Sequence, residues 1–217
     1  ETRIVILRPL GGQSPQQVRA FLRRLPEEVA AIPGVQAVSL SDGAEPMDGD
    51  SEMSFWLEEQ PETKIHNPLT MSYVVSPDYL KVMKIPLVRG RFLSAADTEE
   101  THLVGVIDTV FSETYFPNQN PVGRYIRLAY KDTPVEIVGV VAHIKQWGLD
   151  ETGAEPVKVQ LYTLAQQMPD PWMQWLATAA SFKVRSKWPN YPTPDAIRLA
   201  LAKVNNEQVA YDFISAE

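Results

Sequence analysis

The sequence contains no cysteine. Disulfides, redox dithiols, thiolate nucleophiles and cysteine-bearing zinc sites are therefore excluded. Compartment stays open, because a cysteine-free chain suits an oxidising space and a reducing one equally. Basic charge is also short: 20 Lys+Arg against 27 Asp+Glu leave a net charge of −7. The basic face that a nucleic-acid binder needs is missing, and an anionic membrane surface is disfavoured for the same reason. The longest apolar run, residues 137–144 (IVGVVAHI), falls far below the roughly 20 residues that cross a bilayer. Neither GxxxxGK[ST] nor GxGxxG occurs, so ATP is not bound in the P-loop manner. GxSxG and SxxK are absent too, which leaves serine catalysis without support. The chain opens on Glu1 with no signal-peptide pattern and stops at Ser215-Ala216-Glu217, and both ends read as cuts in a longer protein.

What remains is a globular composition, 44% apolar and 22% charged over 217 residues. The N-terminal part reads strand, helix, strand. Residues 2–7 (TRIVIL) are apolar and β-branched, and Pro9, Gly11 and Gly12 signal a turn. Ser14-Pro15-Gln16-Gln17 predicts a helix start, with Ser14 as N-cap and Gln17 completing a capping box. Val18, Phe21, Leu22, Leu25, Val29 and Ile32 then form one apolar stripe. Pro26 is expected to kink that helix or divide it. Pro33-Gly34 stops it, and residues 35–40 alternate as a strand.

The C-terminal part repeats the plan. Residues 179–185 alternate, with Phe182 and Val184 on one face and Lys183 and Arg185 on the other. Thr193-Pro194-Asp195 starts a helix with Ala196, Ile197, Ala200, Leu201 and Val204 on one side, and residues 208–214 close as a strand. Two βαβ-type units bracketing the chain predict an α+β fold: a split βαβ, ferredoxin-like subdomain in which both units share one sheet. The middle, residues 84–168, must then be an inserted strand-rich α+β subdomain. Strands are expected at 104–108, 125–130, 135–141 and 157–162, with a hairpin loop at 131–134. A short helix is expected from Asp108 to Tyr115, and Ser94-Ala95-Ala96-Asp97 reads as a further capping-box fragment. The expected division is thus 1–83 with 169–217, and 84–168.

The middle carries a run of turns and caps in a fixed order. Ser76-Pro77-Asp78-Tyr79-Leu80 leads through Ile85-Pro86-Leu87-Val88-Arg89-Gly90-Arg91-Phe92 to Asp97. Val106-Ile107-Asp108 is followed by Tyr115-Phe116-Pro117 and Asn120-Pro121-Val122-Gly123-Arg124. Glu136-Ile137-Val138-Gly139-Val140-Val141 precedes Gly148-Leu149-Asp150. Physically these are architectural residues: Gly90 suits a positive φ, and Gly123 and Gly139 allow close backbone approach. In order and spacing they resemble the periplasmic core domain of MacB/FtsX-type ABC transporter permeases. The resemblance implies that the flanking βαβ units form that family's porter-like subdomain. It also implies a non-catalytic domain outside the cytoplasmic (inner) membrane, between the first and second spans of a four-span subunit. The expected cofactor set in the domain is none, since ATP is bound by a separate cytoplasmic ATPase. Expected partners are that ABC ATPase, a second permease subunit, and a periplasmic adaptor or substrate protein. Motion driven by ATP would be relayed to substrate efflux, to lipoprotein extraction or to a cell-wall hydrolase. The fragment alone is expected to be a monomer.

Local chemistry is sparse. His66, His102 and His143 show no HExxH or i,i+4 pairing, so surface and strand-end roles are expected rather than a metal site. Asp48-Gly49-Asp50-Ser51-Glu52 resembles the start of a calcium loop, but Met53 stands where the EF-hand turn needs glycine. Glu58-Glu59 and Glu99-Glu100 read as surface charge. The candidate contact residues are aromatic: Phe55, Trp56, Trp172 and Trp175 fall in segments with weak helix or strand signals. They either fold back over the sheet or meet a second subunit, an accessory protein or the lipid headgroup zone. Trp147 and Trp188 read as ordinary packing residues. Two other classes stay in view: a stand-alone secreted or periplasmic ligand-binding module, and a hydrolase built from the dispersed histidines and carboxylates.

Overall fold

A computed structural model describes residues 2–7, 12–42, 51–60, 62–129, 131–145, 158–179, 181–189, 191–205 and 210–215. In chain order the strands are β1 (Thr2–Leu7), β2 (Val35–Asp42), β3 (Glu52–Leu57), β4 (Leu69–Val75), β5 (Leu87–Gly90) and β6 (Val104–Asp108). They continue with β7 (Tyr125–Leu128), β8 (Lys131–Val141), β9 (Gln160–Leu164), β10 (Ser181–Ser186) and β11 (Ala210–Ser215). The helices are α1 (Pro15–Ala30), α2 (Glu62–His66), α3 (Tyr79–Met83), α4 (Thr109–Tyr115), α5 (Asp170–Ala179) and α6 (Pro194–Val204). The fold is mixed α+β, and all eleven strands among the described residues belong to one sheet.

α1 starts where its capping box predicts. Gln17 N–H donates to Ser14 Oγ at 3.3 Å, and Ser14 N–H donates to Gln17 Oε1 at 2.7 Å. Its stripe of Val18, Leu22, Leu25 and Val29 is buried with Val5, Val38, Leu40, Phe182 and Val184, and with Ile197, Ala200 and Leu201 of α6. Pro26 does not divide the helix. Buried residues before and after it tie both turns to the same sheet, and that packing outweighs one lost hydrogen bond. Beneath the helices the strands run β11-β1-β10-β2, every neighbouring pair antiparallel.

Lys183 departs from the expected alternation. It is 1% exposed, and its Nζ donates to Ser41 Oγ at 2.5 Å. The second face of these strands is not open to water, because α3 lies across β2 and β10. Arg185, on the same side, donates from Nε to the Val82 carbonyl at 2.7 Å. Alternation in one strand cannot reveal a helix that returns over the other face.

β4 is the branch point. Its end pairs with β2 (Ser41↔Val75, Asp42↔Val74), its start pairs with β3, and its other edge runs parallel to β9 from Met71↔Gln160 to Val75↔Leu164. From β4 the order is β3-β7-β8-β6-β9, and the β4–β9 pairing returns it to the start. Six strands thus close into a ring, which removes their free edges. β5 docks on the half of β8 that β7 leaves vacant, with Gly90 opposite Gly139. β6, β9 and the second half of β8 are buried on both faces. Val104, Val106, Tyr162 and Leu164 share one core with Tyr73 and Tyr79, while Ile107 and Leu161 share another with Phe55, Phe111, Ile126 and Ile137. This is why 104–108 and 135–141 read as continuous apolar runs.

Several local expectations shift. β3 and β4 precede residue 84 yet pair within the ring, because the long-range β4–β9 contact recruits them. The expected hairpin loop at 131–134 belongs to β8, since Leu128 already pairs with Lys131. The fourth expected strand of the middle, at 157–162, is observed as Gln160–Leu164. Residues 94–97 form a turn rather than a helix start, with Asp97 Oδ2 accepting from Ser94 N–H at 2.8 Å. A Cβ on Gly139 would lie 2.0 Å from the Arg91 carbonyl oxygen, so close approach is obligatory there. Gly123 has nothing within 4 Å but holds φ at +89°, so its role is a turn and not an approach.

Candidate functional site

The chain passes between the four-strand part and the ring twice. The outward passage, 43–50, lies outside the described residues; the return passage runs from Leu164 at the end of β9, through a 3₁₀ turn (Ala165–Gln167), to Asp170 at the start of α5. Side-chain hydrogen bonds tie this return to both parts. Arg19 projects from the buried face of α1 and donates from Nη2 to the Met168 carbonyl at 2.7 Å and from Nε to the Gln166 carbonyl at 3.3 Å. Its Nη1 reaches Asp170 Oδ1 at 2.6 Å. A rigid guanidinium fork suits this task, since its donors are already set in one plane and little further ordering is needed.

Gln167 grips the other way. It is 7% exposed; its Oε1 accepts from Val104 N–H at 3.1 Å, and its Nε2 donates to the carbonyls of Thr98 and His102 at 3.0 and 2.9 Å. Thr101 Oγ1 takes a further contact from the same nitrogen at 3.1 Å. One short segment is therefore bonded to α1 on one side and to the 98–104 loop of the ring on the other. Such a grip can carry force, because neither part can shift without breaking charge-assisted or buried bonds.

The loop that receives Gln167 is itself fixed by a paired Arg91 and Asp97. Both guanidinium terminal nitrogens meet the two carboxylate oxygens at 2.8 Å. Burial alone would raise the Asp97 pKa, but the bonds from Arg91 and from the Ser94 N–H and hydroxyl hold it below the ordinary carboxylate value. The Arg91 guanidinium is correspondingly raised by its bond to Asp97.

A second polar hub lies inside the ring. Asp108 is fully buried and accepts from the N–H groups of Phe111 (2.8 Å) and Gln160 (3.1 Å), with His143 Nδ1 at 2.5 Å from its other oxygen. Gln160 spans to Ile144, bonding both its N–H and its carbonyl, and receives the Tyr162 hydroxyl at 3.1 Å. Burial, with Tyr79, Tyr73 and Asp108 close by, pushes the Tyr162 phenol well above its usual pKa. The three histidines do not converge: His66 ends α2 in solvent, His102 Nε2 pairs with Glu136 at 2.9 Å, and His143 serves Asp108. Among the described residues no group of three His, Cys, Asp or Glu could hold a metal ion. Residues 48–50 of the calcium-like loop lie outside the described residues, and the next element along the chain is strand β3 rather than a helix.

The four candidate aromatics separate. Phe55 is wholly buried in β3, 4.7 Å from the ring of Phe111 and 5.1 Å from that of Tyr115, so it packs the core and offers nothing to a partner. Trp56, its neighbour on the opposite face of β3, is half-buried under the Lys64 ammonium at 5.0 Å. Trp172 and Trp175 lie on one side of α5, edge to face at 5.8 Å and partly exposed. Sequence reading misses Arg19 and Gln167. The available signal is a charged residue inside the stripe between Val18 and Leu22; Gln167 has none. Trp147 lies outside the described residues.

Beside the return passage is a cavity of about 210 Å³ floored by Leu22, Leu40 and Leu164, walled by Pro26 and Pro77, with Glu27 and Glu99 at its rim. No described helix is long and apolar enough to cross a membrane.

Residues 2–187 match the model of the MacB-like periplasmic core domain family. Among solved structures, the periplasmic region of MacB from Actinobacillus actinomycetemcomitans superposes with a TM-score of 0.59 at 14% identity, covering 98% of this chain and 86% of that one. The extracellular domain of the noncanonic ABC-type transporter YknZ from Gram-positive bacteria gives 0.59 at 14% identity, covering 98% of this chain and 100% of that one. No curated protein sequence matches.

Proposed function

The chain belongs to the MacB-like periplasmic core domain family, and from that premise we propose that it relays ATP-driven motion and performs no chemistry of its own. It is an extracytoplasmic domain of an ABC transporter permease. In our reading the β11-β1-β10-β2 array with α1 and α6 is the ferredoxin-like, porter-like unit, and the ring is the inserted unit. The strand pairing favours a division at the β2–β3 passage and at residues 164–168, in place of residues 83 and 168. The partners are a cytoplasmic ABC ATPase that holds the nucleotide, a second permease subunit, and a periplasmic adaptor or substrate protein; the isolated domain is a monomer.

The observation that carries the relay is the double grip on the return passage by Arg19 and Gln167. A relay needs its input and output parts to move as one, and these bonds supply that stiffness. The test uses the assembled permease and its ATPase. This domain lacks cysteine, so Ile65→Cys, at a position 83% exposed on the ring part, gives a single labelling site once any cysteines elsewhere in the assembly are replaced. A spin label there is expected to report an ATP-dependent change in distance between the two copies. Arg19→Ala should leave ATP hydrolysis within about twofold while shrinking that change, with Arg19→Lys in between. No ATP-dependent change in the parent protein would overturn the relay.

A second reading, a ligand-binding module, draws on the 210 Å³ cavity beside α1. Small-molecule sites usually enclose about 300–1,000 Å³, so the relay is preferred.

A further inference from the structure

One end of the four-strand array carries two loops that contain no Asp or Glu. Thr2 at the start of β1 pairs with Arg185, and Ser215 at the end of β11 pairs with Arg3, so both strands reach this edge. Two loops project beyond it. Residues 31–34 lead into β2 at Val35, and residues 187–189 and 191–193 follow β10 after Ser186, which pairs with Val35. The two loops are fastened together. Lys187 N–H donates to the Gly34 carbonyl at 2.9 Å, and the face of Gly34 is filled by the Trp188 ring, which lies 2.0 Å from where a Cβ would stand.

Trp188 is nevertheless 48% exposed. Tyr191 meets it edge to face at 5.5 Å, and the Lys187 ammonium stands 5.8 Å above its centre. In a chain of net charge −7, residues 29–41 and 181–194 contain no Asp or Glu at all, and the second stretch contributes Lys183, which is buried, Arg185 and Lys187. Of the acids that flank them, Glu28 is paired with Lys203 at 3.5 Å and Asp195 with Arg198 at 3.0 Å. An amphipathic indole, a phenol and a snorkelling ammonium on two acid-free loops form the composition that seats at a lipid–water boundary. The exposed Lys187 ammonium is the charge these loops offer to anionic headgroups, although the whole chain would be repelled by them.

We propose that the Lys187–Trp188–Tyr191 cluster, with the 31–34 loop, seats this domain in the anionic headgroup layer of the membrane that carries it. The inference rests on the permease reading, because it takes the membrane to lie at the edge where β1 begins and β11 ends. Tethering supplies the effective concentration, so a shallow contact suffices.

The test anchors this chain, through a histidine tag added after Glu217, to phosphatidylethanolamine–phosphatidylglycerol vesicles that carry nickel-chelating lipid and a headgroup-level quencher lipid. Tryptophan emission is expected to be quenched. Trp188→Phe should remove more than half of that quenching, and a Trp172→Phe/Trp175→Phe double variant should keep it. Lys187→Glu should weaken it and make it less sensitive to salt. Equal urea midpoints would establish that the variants are folded. Quenching that is absent from the parent chain, or unchanged in Trp188→Phe, overturns the proposal. If the ATP-driven displacement at the residue 65 label persists in that case, the headgroup seat alone has failed and the relay stands.

Discussion

The four-strand part and the ring bury their apolar residues by different rules. The first covers one face with α1, α5 and α6, and its second face is crossed by α3. The ring buries both faces of β6, β8 and β9 and has no free edge along its closed path. An open-edged layer can absorb change at its margin, because side chains there have water to move into. A closed ring cannot, since each displaced strand pulls on two neighbours. Sensitivity to substitution should therefore concentrate in the ring, and contact with other molecules should concentrate on the layer.

The largest expected contrast compares two aromatics that look alike in the sequence. Phe55→Ala should cost about 3–5 kcal/mol through the cavity it leaves between Phe111 and Tyr115. Trp172→Ala, on the exposed side of α5, should cost about 1 kcal/mol or less. Urea denaturation of both variants checks this, and equal losses would break the comparison. Next come two glycines. Gly139→Ala forces a Cβ into the Arg91 backbone and should cost about 3 kcal/mol. Gly123→Ala meets only its positive φ and should cost about 1 kcal/mol. Similar values for the pair would mean that the β5–β8 contact yields more easily than a closed ring should.

The smallest effect is an acid limb. Asp97 has its folded pKa below the ordinary value of 3.8, so its contribution is present above that value and is lost as pH falls through the lower, folded one. The native chain should lose stability across that window, and Asp97→Asn should flatten the loss. Because Arg91 is nearly half exposed, the difference will be modest and reduced by salt. Urea midpoints at stepped acidic pH would measure it, and an unchanged slope in Asp97→Asn would remove the pair from the loop's support.

The same contrast governs what can be read from the sequence. Elements set by neighbours in the chain are legible there: the Ser14–Gln17 capping box, Asp108 capping α4, Thr193 capping α6, and the apolar stripes. Features that depend on distant pairing are not. Nothing near Leu69 announces that β4 will run parallel to Gln160–Leu164, so residue order alone sets β3 and β4 apart from the ring. Lys183 reads as solvated because its cover, α3, lies a hundred residues earlier. Phe55 and Trp56 carry only a weak strand signal because β3 takes its form from β4 and β7, not from its own composition. The Arg19 grip joins residues about 150 positions apart, and Trp188 looks ordinary until Gly34, Lys187 and Tyr191 are brought round it.

β1 has no sheet partner among the described residues except β10 and β11. The ring, in contrast, is complete once residue 164 is available. Synthesis from the N-terminal side therefore releases β1 long before anything exists for it to pair with. Closing such a separation slows folding through the entropy of the intervening loop. β1 must wait, unpaired and apolar, while the ring forms behind it, until β10 and β11 arrive to flank it. That interval is when the nascent domain is most exposed to aggregation.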